Sequence, residues 1–208
     1  MIKKIFFSII SFPFLLVTSI RNFLYHIGLF KSFAFSIPII SIGNLVLGGS
    51  GKTPTTEYLI RLLSDEYKVA VLSRGYGRKS NGFIIADSNS NPSIIGDEPM
   101  QYYRKFKNII MCVDSNRVRA INKLINSNLN LEVILLDDAY QHRKVKPKIS
   151  ILLTEYSRLY SEDYVFPLGN LRESRGSANR ADIIIVTKCD KNLNKNDKIN
   201  ITKKLNLD

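Results

Sequence analysis

The segment between residues 46 and 54 contains the residue types that bind a polyphosphate. Its sequence is Val-Leu-Gly-Gly-Ser-Gly-Lys-Thr-Pro, and glycines allow backbone N–H groups to turn inward around an anion. At this spacing the lysine reaches the β- and γ-phosphates of a nucleotide, and the threonine hydroxyl ligates Mg²⁺. The predicted phosphate-binding residues are Val46, Leu47, Gly48, Gly49, Ser50, Gly51, Lys52 and Thr53.

The elements on either side of this segment favour the same interpretation. Residues 37–42 form an apolar run typical of a strand, and residues 53–63 have the spacing of a helix. The N-terminus of a helix in that position favours a bound anion. The full G-x-x-x-x-G-K-[ST] pattern requires glycine where this chain has Val46, so an ordinary glycine-rich turn is the alternative interpretation.

Two acidic segments are candidates for the metal and base chemistry of such a site. Four apolar residues at 133–136 precede Asp137 and Asp138, as in a Walker B strand, whose carboxyl end lies near Mg²⁺ and the phosphates. Asp97 and Glu98 lie where a helix is predicted to begin. They are interpreted either as helix-capping acids, or as a base toward an incoming hydroxyl beside a second carboxylate near the metal.

Two further motifs leave alternatives open. Arg172 and Glu173 lie in a predicted loop, where the arginine could neutralise charge on a transferred phosphoryl group or form a surface salt bridge with the glutamate. The string Thr-Lys-Cys-Asp at 187–190 follows an apolar strand. It resembles the base-specifying element of P-loop GTPases, which makes a GTPase the alternative enzyme class.

Short β-branched runs alternate with helical segments along the rest of the chain. This alternation predicts an α/β fold, a P-loop NTPase-like parallel sheet with helices on both faces. The domain prediction is a membrane-associated helical segment at 1–35 followed by a P-loop domain at 36–208. Strands are predicted at 68–73, 82–86, 108–113, 133–136, 149–154 and 182–187, and further helices at 98–106 and 117–126.

Composition restricts the partners. The net charge of +12, from 30 Lys and Arg against 18 Asp and Glu, favours nucleotides, phosphorylated substrates or phospholipid surfaces. Nucleic acid is not a predicted partner, because the chain has no module of interleaved aromatic and basic residues. Cys112 and Cys189 lack metal-ligand spacing and indicate reduced thiols in a cytosolic protein. The oligomeric state is left open.

The N-terminus is apolar and is predicted to meet a membrane. Residues 5–20 carry no charged side chain, although Pro13 interrupts them, and a second apolar piece at 23–30 follows Arg21. The run is shorter than the ~20 residues of a spanning helix, so helices lying on the membrane surface are the preferred interpretation. A true span, a buried core helix and a signal peptide are the alternatives.

Taken together, these motifs resemble the tetraacyldisaccharide 4′-kinase family, the lipid A 4′-kinases of Gram-negative bacteria. The resemblance covers about residues 20 to 190 and keeps the motifs in order. Its pieces are Ser41-Ile-Gly-Asn-Leu45, Gly48 to Pro54, Ser73-Arg-Gly-Tyr-Gly77, Gly96 to Pro99, Asp137-Asp-Ala-Tyr-Gln-His-Arg143, Leu168-Gly-Asn-Leu-Arg-Glu173 and Arg180-Ala-Asp182.

The resemblance implies transfer of the γ-phosphate of ATP, with Mg²⁺, to the 4′-hydroxyl of a tetraacyldisaccharide 1-phosphate at the cytoplasmic face of the inner membrane. It implies that Lys52 stabilises the β/γ-phosphates and that Asp97 is the base toward the sugar. It also implies that Thr53, Glu98 and Asp137 lie at the metal, that Asp138 is the second Walker B acid, and that Arg172 and Glu173 belong to the active-site loop.

Two departures from the family pattern qualify this expectation. Ala139 and Tyr140 stand where the family usually has Gly and Phe. The family also continues past residue 208, with a histidine that pairs with the catalytic aspartate, whereas this chain contains only His26 and His142. We therefore expect the chain to be a fragment, and a membrane-bound nucleotide-binding remnant without transfer activity is the second alternative.

Overall fold

The computed structural model describes residues 2–205, with side chains described from residue 7 onward. Within these residues the chain forms seven strands and six α-helices. The strands are β1 (Ile39–Asn44), β2 (Val69–Ser73), β3 (Ile84–Ile85), β4 (Ile110–Val113), β5 (Val133–Leu136), β6 (Ile149–Glu155) and β7 (Ile183–Thr187). The helices are α1 (Ile2–His26), α2 (Lys52–Leu63), α3 (Pro92–Ile95), α4 (Asp97–Lys105), α5 (Arg117–Ile125) and α6 (Lys195–Lys204).

The strands form a mixed sheet in the order β3-β4-β2-β5-β1-β6-β7. Pairing is parallel between β1 and β5, between β5 and β2, and between β2 and β4, which confirms the predicted parallel sheet at its centre. Strand β3 differs, because it is two residues long and runs antiparallel to β4 at the edge.

Residues fall into two compact units. The first unit comprises residues 1–30, 44–51 and the chain from residue 152 onward, and the second unit comprises residues 31–43 and 52–151.

Helices cover both faces of the sheet in the second unit. Successive residues of each strand face opposite sides of the sheet. Val69 and Val71 of β2 pack on one side with helices α2 and α4. Ala70 and Leu72 pack on the other side with helix α5, so helices cover both faces there.

Polar side chains collect where the parallel strands of the second unit end. Ser73 ends β2, Asp114 follows β4 and Asp137 follows β5. The N–H of Asp114 bonds the carbonyl of Ser73 at 3.1 Å, and that of Asp137 bonds the carbonyl of Leu72 at 3.1 Å. Parallel strands bring their carboxyl ends to one edge of the sheet, where α/β proteins bind ligands.

Helix α1 belongs to the first unit and is continuous through Pro13 and Arg21, so the two predicted apolar pieces form one helix. Ser11 fixes it to the rest of the unit, since its hydroxyl donates to the Val165 carbonyl at 3.1 Å and accepts from the Leu168 N–H at 2.9 Å. Residues 7–26 are long and apolar enough to cross a membrane, and only 6% of that stretch is buried. Within the described residues this segment is therefore not packed in a core.

Candidate functional site

The glycine-rich loop of the first unit is held closed by side-chain hydrogen bonds. The amide of Asn44 donates to the Ser50 hydroxyl at 2.7 Å, and the hydroxyl of Thr187 donates to the Ser50 carbonyl at 2.9 Å. Gly51 has a φ of +82°, and a Cβ there would lie 3.3 Å from the Thr187 side chain. Glycine is required at this position both by the left-handed conformation and by the close contact.

The predicted Arg172 lies beside the start of this loop. Its backbone N–H donates to the carbonyl of Leu45 at 2.7 Å, and the preceding Leu171 forms an antiparallel bridge with Val46. The backbone therefore brings the arginine loop against the residues that precede the glycines. Asn44 belongs to the segment Ser41–Leu45 of the family resemblance, but its role in fixing the loop through Ser50 follows only from the structure.

Glu173, which was predicted alongside Arg172, is a buried member of an ion-pair network. Its carboxylate accepts from Arg180 at 2.7 Å and from the Asn22 amide at 3.0 Å, and it lies 3.8 Å from Arg21. The side chain is 1% exposed, so an exposed salt bridge is the wrong interpretation for this glutamate. Two of its partners, Arg21 and Asn22, come from helix α1.

Helix α2 of the second unit begins at Lys52, directly after Gly51. The Lys52 ammonium lies 3.7 Å from a carboxylate oxygen of Asp138. The hydroxyl of Thr53 donates to the carboxylate of Glu98 at 3.3 Å. The fold thus brings together residues of three separate motifs: Lys52 and Thr53, Glu98, and Asp138.

Asp137 lies at the centre of this acidic cluster and is only 2% exposed. Its carboxylate accepts from the hydroxyl of Thr56 at 3.4 Å and from that of Ser73 at 3.5 Å, which are long and weak hydrogen bonds. Burial, together with repulsion from Glu98 and Asp138, raises the pKa of Asp137 to about 6. The carboxylate is therefore held in a place where its negative charge is poorly compensated.

Arg117, the first residue of α5, supports the backbone beneath the acids. Its guanidinium donates to the carbonyls of Asp114 and Asp137, the second at 3.2 Å. The side chain is 3% exposed, and burial lowers its pKa to about 10. Arg117 could not be recognised from the sequence, because an arginine in the first turn of an amphipathic helix is usually solvated.

Asp97 and Glu98 occupy the first turn of α4, and both are exposed. Neither caps the helix through its side chain, because Gly96 holds the cap position without a side-chain hydrogen bond. Asp97 borders a cleft of about 420 Å³ whose other lining residues include Met100, Gln101 and Arg104. The Asp97 carboxylate is thus available to a ligand at the cleft, while the charge of both acids suits the positive end of the helix.

The GTPase-like string ends strand β7. Thr187 bonds the glycine-rich loop, as described, and Lys188 pairs with Glu155 at 2.9 Å. Cys189 and Asp190 line a second cleft of about 390 Å³ in the first unit. Cys112 is buried and Cys189 is exposed, and both are free thiols.

The donor set at the start of α2 fits Mg²⁺. Among residues 2–205, no group of three or more His, Cys, Asp or Glu side chains is arranged to hold a metal ion. The cluster offers instead the hydroxyl of Thr53 and the carboxylates of Glu98 and Asp137. Mg²⁺ is commonly held by one or two carboxylates, with waters and substrate phosphates completing the octahedron.

Comparison with known proteins agrees with this geometry. The model of the tetraacyldisaccharide-1-P 4′-kinase family matches residues 3–207. A tetraacyldisaccharide 4′-kinase of Flavobacterium johnsoniae is 56% identical over 202 residues, 95% of this chain and 59% of the relative. One from Bacteroides thetaiotaomicron is 52% identical over 192 residues, 92% of this chain and 50% of the relative. This chain therefore spans half to three-fifths of the length of those two relatives.

A solved structure gives the same result for the fold. The crystal structure of the "apo" form of LpxK from Aquifex aeolicus in complex with ATP superimposes with a TM-score of 0.79 at 35% identity, and the match covers 86% of this chain and 57% of that one. The strand order, the acidic cluster at the start of α2 and the family match over nearly all residues agree with one another, and the chain belongs to the tetraacyldisaccharide-1-P 4′-kinase family.

Proposed function

We propose that the protein transfers the γ-phosphate of ATP to the 4′-hydroxyl of a tetraacyldisaccharide 1-phosphate. The observation that carries this proposal is the convergence of Lys52, Thr53, Glu98 and Asp138 at the start of α2, around the buried Asp137, in a chain of this kinase family. Catalysis of phosphoryl transfer depends mainly on aligning the attacking hydroxyl with the γ-phosphate and on neutralising the phosphate charge, and this cluster has groups suited to both.

Each residue of the cluster has a proposed role. Backbone N–H groups of the glycine-rich loop hold the phosphates. The Lys52 ammonium neutralises charge on the β- and γ-phosphates, and its 3.7 Å contact with Asp138 holds it at the start of α2. Thr53, Glu98 and Asp137 would hold Mg²⁺, which when bound neutralises charge on the β- and γ-oxygens. Arg172, with Glu173 anchoring its loop, contributes a further positive charge.

Asp97 is the proposed base toward the sugar. Its exposed carboxylate takes the proton of the 4′-hydroxyl while the sugar oxygen forms a bond to the γ-phosphorus. The bond from that phosphorus to the β–γ bridging oxygen breaks, and ADP leaves with the electron pair. The cleft that Asp97 borders provides space for an acceptor on the side where this proton is released.

The proposed substrate and helix α1 agree in their chemistry. Apolar side chains at Phe12, Val17, Ile20 and Phe23 of this helix are exposed, as is typical of a surface that contacts lipid. We propose that α1 lies on the cytoplasmic face of the inner membrane, where an acylated disaccharide is found. The single-span alternative predicts instead that the residues before α1 and those after it lie on opposite sides of the membrane.

The test is transfer of labelled γ-phosphate from Mg·ATP to a tetraacyldisaccharide 1-phosphate in mixed micelles. We expect product from the wild-type chain and a loss of at least about 100-fold in Lys52→Ala. The exposed Lys68→Ala is the matched control and should keep the wild-type rate. Absence of product above the Lys52→Ala level would contradict the proposal, and preference for labelled GTP over ATP would favour the GTPase alternative.

A further inference from the structure

The hydroxyl of Tyr102 is a buried polar group that the proposed mechanism does not use. Tyr102 lies on α4 one turn after Glu98, so the two side chains share a face of that helix. Its ring is 0% exposed and packs in the core beneath the sheet with Ile60, Ile95 and Leu135. The hydroxyl meets no partner in good hydrogen-bond geometry among the described residues.

A buried hydroxyl without a good partner destabilises a fold. Phenylalanine would fill the same space without that cost, so the hydroxyl requires a reason of another kind. An orphaned buried polar group of this type calls for a specific explanation, such as a role beside a catalytic or ion-binding site.

The surroundings of the Tyr102 hydroxyl point to the acidic cluster. Burial and the negative charge of Asp137 raise its pKa, and the hydroxyls of Thr56 and Thr53 lie close enough to oppose that increase. The phenol is therefore neutral and keeps its proton, so that it can act as a donor to a neighbouring oxygen.

Thr56 connects this donor to the proposed metal site. It is 0% exposed, and its hydroxyl donates to the Asp137 carboxylate at 3.4 Å. A hydroxyl that accepts a hydrogen bond becomes a stronger donor, so a contact from Tyr102 to Thr56 would shorten and strengthen the contact from Thr56 to Asp137. Groups that orient a metal-binding carboxylate in this way affect metal affinity without touching the ion.

We propose that Tyr102 is a positioning residue whose hydroxyl donates to Thr56, which in turn donates to Asp137 and holds this carboxylate toward the Mg·nucleotide complex. The inference rests on the proposed function, because it requires a nucleotide and a divalent ion at the start of α2. It adds to that function a residue of the α4 core that links the helix carrying Asp97 and Glu98 to the Walker B acid.

The first experiment compares Tyr102→Phe with Tyr103→Phe. Tyr103 is the neighbouring, half-buried tyrosine of the same helix, whose ring contacts Lys107, and it serves as the matched control. Mn²⁺ affinity is measured by electron paramagnetic resonance on the full chain with a non-hydrolysable ATP analogue. We expect about ten-fold weaker Mn²⁺ binding in Tyr102→Phe, wild-type binding in Tyr103→Phe, and no fall in the melting temperature of either.

Unchanged Mn²⁺ affinity in Tyr102→Phe, or an equal loss in Tyr103→Phe, would overturn the inference. A purely structural role predicts a lower melting temperature with unchanged metal affinity. Failure of the proposed function gives a different result: a wild-type chain without a nucleotide site would show no Mn²⁺ binding with the analogue, and a chain that binds nucleotide without transferring phosphate would fail only in the transfer assay. The two failures are therefore distinguishable.

A double-mutant cycle tests the route through Thr56. Thr56→Val keeps the shape of the side chain and removes its hydroxyl, so the path from Tyr102 to Asp137 is interrupted. In that background we expect Tyr102→Phe to change Mn²⁺ affinity by less than about two-fold, because coupled residues are not additive. A full ten-fold loss from Tyr102→Phe in the Thr56→Val background would overturn the relay.

Discussion

Asp114 and Asp137 are two buried aspartates that follow β4 and β5, the strands on either side of β2, and their environments are opposite. Asp114 accepts two hydrogen bonds from the Arg119 guanidinium, at 2.7 and 2.9 Å. Although burial opposes its ionisation, this pair lowers the pKa of Asp114. Asp137 receives two long hydroxyl contacts and faces other carboxylates. The negative charge of Asp114 is therefore compensated within the protein, whereas the charge of Asp137 is left for a bound cation to compensate.

This difference separates stability from function within one edge of the sheet. The ion pair of Asp114 with Arg119 fixes the backbone where β4 ends, and the Arg117 guanidinium connects the carbonyls of Asp114 and Asp137. The position of Asp137 is thus held by the backbone, while its charge stays uncompensated. Functional sites commonly carry such a cost, which the rest of the fold offsets.

The largest expected effect comes from Asp137→Asn. We expect phosphoryl transfer to fall by at least about 100-fold, because the variant loses a proposed metal ligand. In the absence of metal and nucleotide, the free energy of unfolding at neutral pH should rise by about 3 kcal/mol, since the pKa of Asp137 is raised to about 6 and each unit of that increase costs about 1.4 kcal/mol. Transfer assays and urea unfolding in a chelator measure the two changes. A destabilised variant would contradict the interpretation of Asp137 as an uncompensated charge.

Asp114→Asn should act in the opposite sense. We expect the free energy of unfolding to fall by about 1–2 kcal/mol, because the Arg119 pair and the bond from the Asn116 N–H are weakened. Nucleotide affinity should stay within about two-fold of the wild type. Unfolding curves and nucleotide titration test this prediction, and a loss of affinity larger than the loss of stability would place Asp114 in the site.

The pattern before the two aspartates shows how far the sequence predicts this site. Apolar runs precede both, at 110–113 and 133–136, and the predicted strands, the α/β class and the clustering of Lys52 with the acids are all found. The sequence could not distinguish the two environments, because Arg119 reaches Asp114 through a turn whose geometry depends on the fold. The buried contacts of Thr56, Ser73 and Tyr102 could not be predicted either, since the surroundings of buried hydroxyls depend on tertiary packing.

The dependence of the free energy of unfolding on pH should have opposite signs for Asp137 and Asp114, and it should be a smaller effect than those of the two substitutions. The pKa of Asp137 is raised to about 6 from about 3.9 in the unfolded chain, so its contribution to stability is present below about pH 4 and is lost as the pH rises to about 6. The pKa of Asp114 is lowered, so its contribution is present above about pH 4 and is lost on acidification.

Urea unfolding of the metal-free wild type and the two asparagine variants, between about pH 3 and pH 8, measures these contributions. The difference between Asp137→Asn and wild type should grow from about pH 4 to pH 6 and then stay constant. The difference between Asp114→Asn and wild type should shrink below about pH 4. Parallel pH profiles for the two variants would show that the two aspartates do not differ in the way the structure indicates.

The most direct test of the nucleotide site is calorimetric titration of a non-hydrolysable ATP analogue into the wild type, Asp114→Asn and Asp137→Asn, with and without Mg²⁺. We expect Mg²⁺ to increase the affinity of the wild type and of Asp114→Asn to a similar degree. The increase should be at least about ten-fold smaller in Asp137→Asn, because this variant lacks the uncompensated carboxylate. An equal Mg²⁺-dependent increase in all three proteins would contradict the assignment of Asp137 to the metal site.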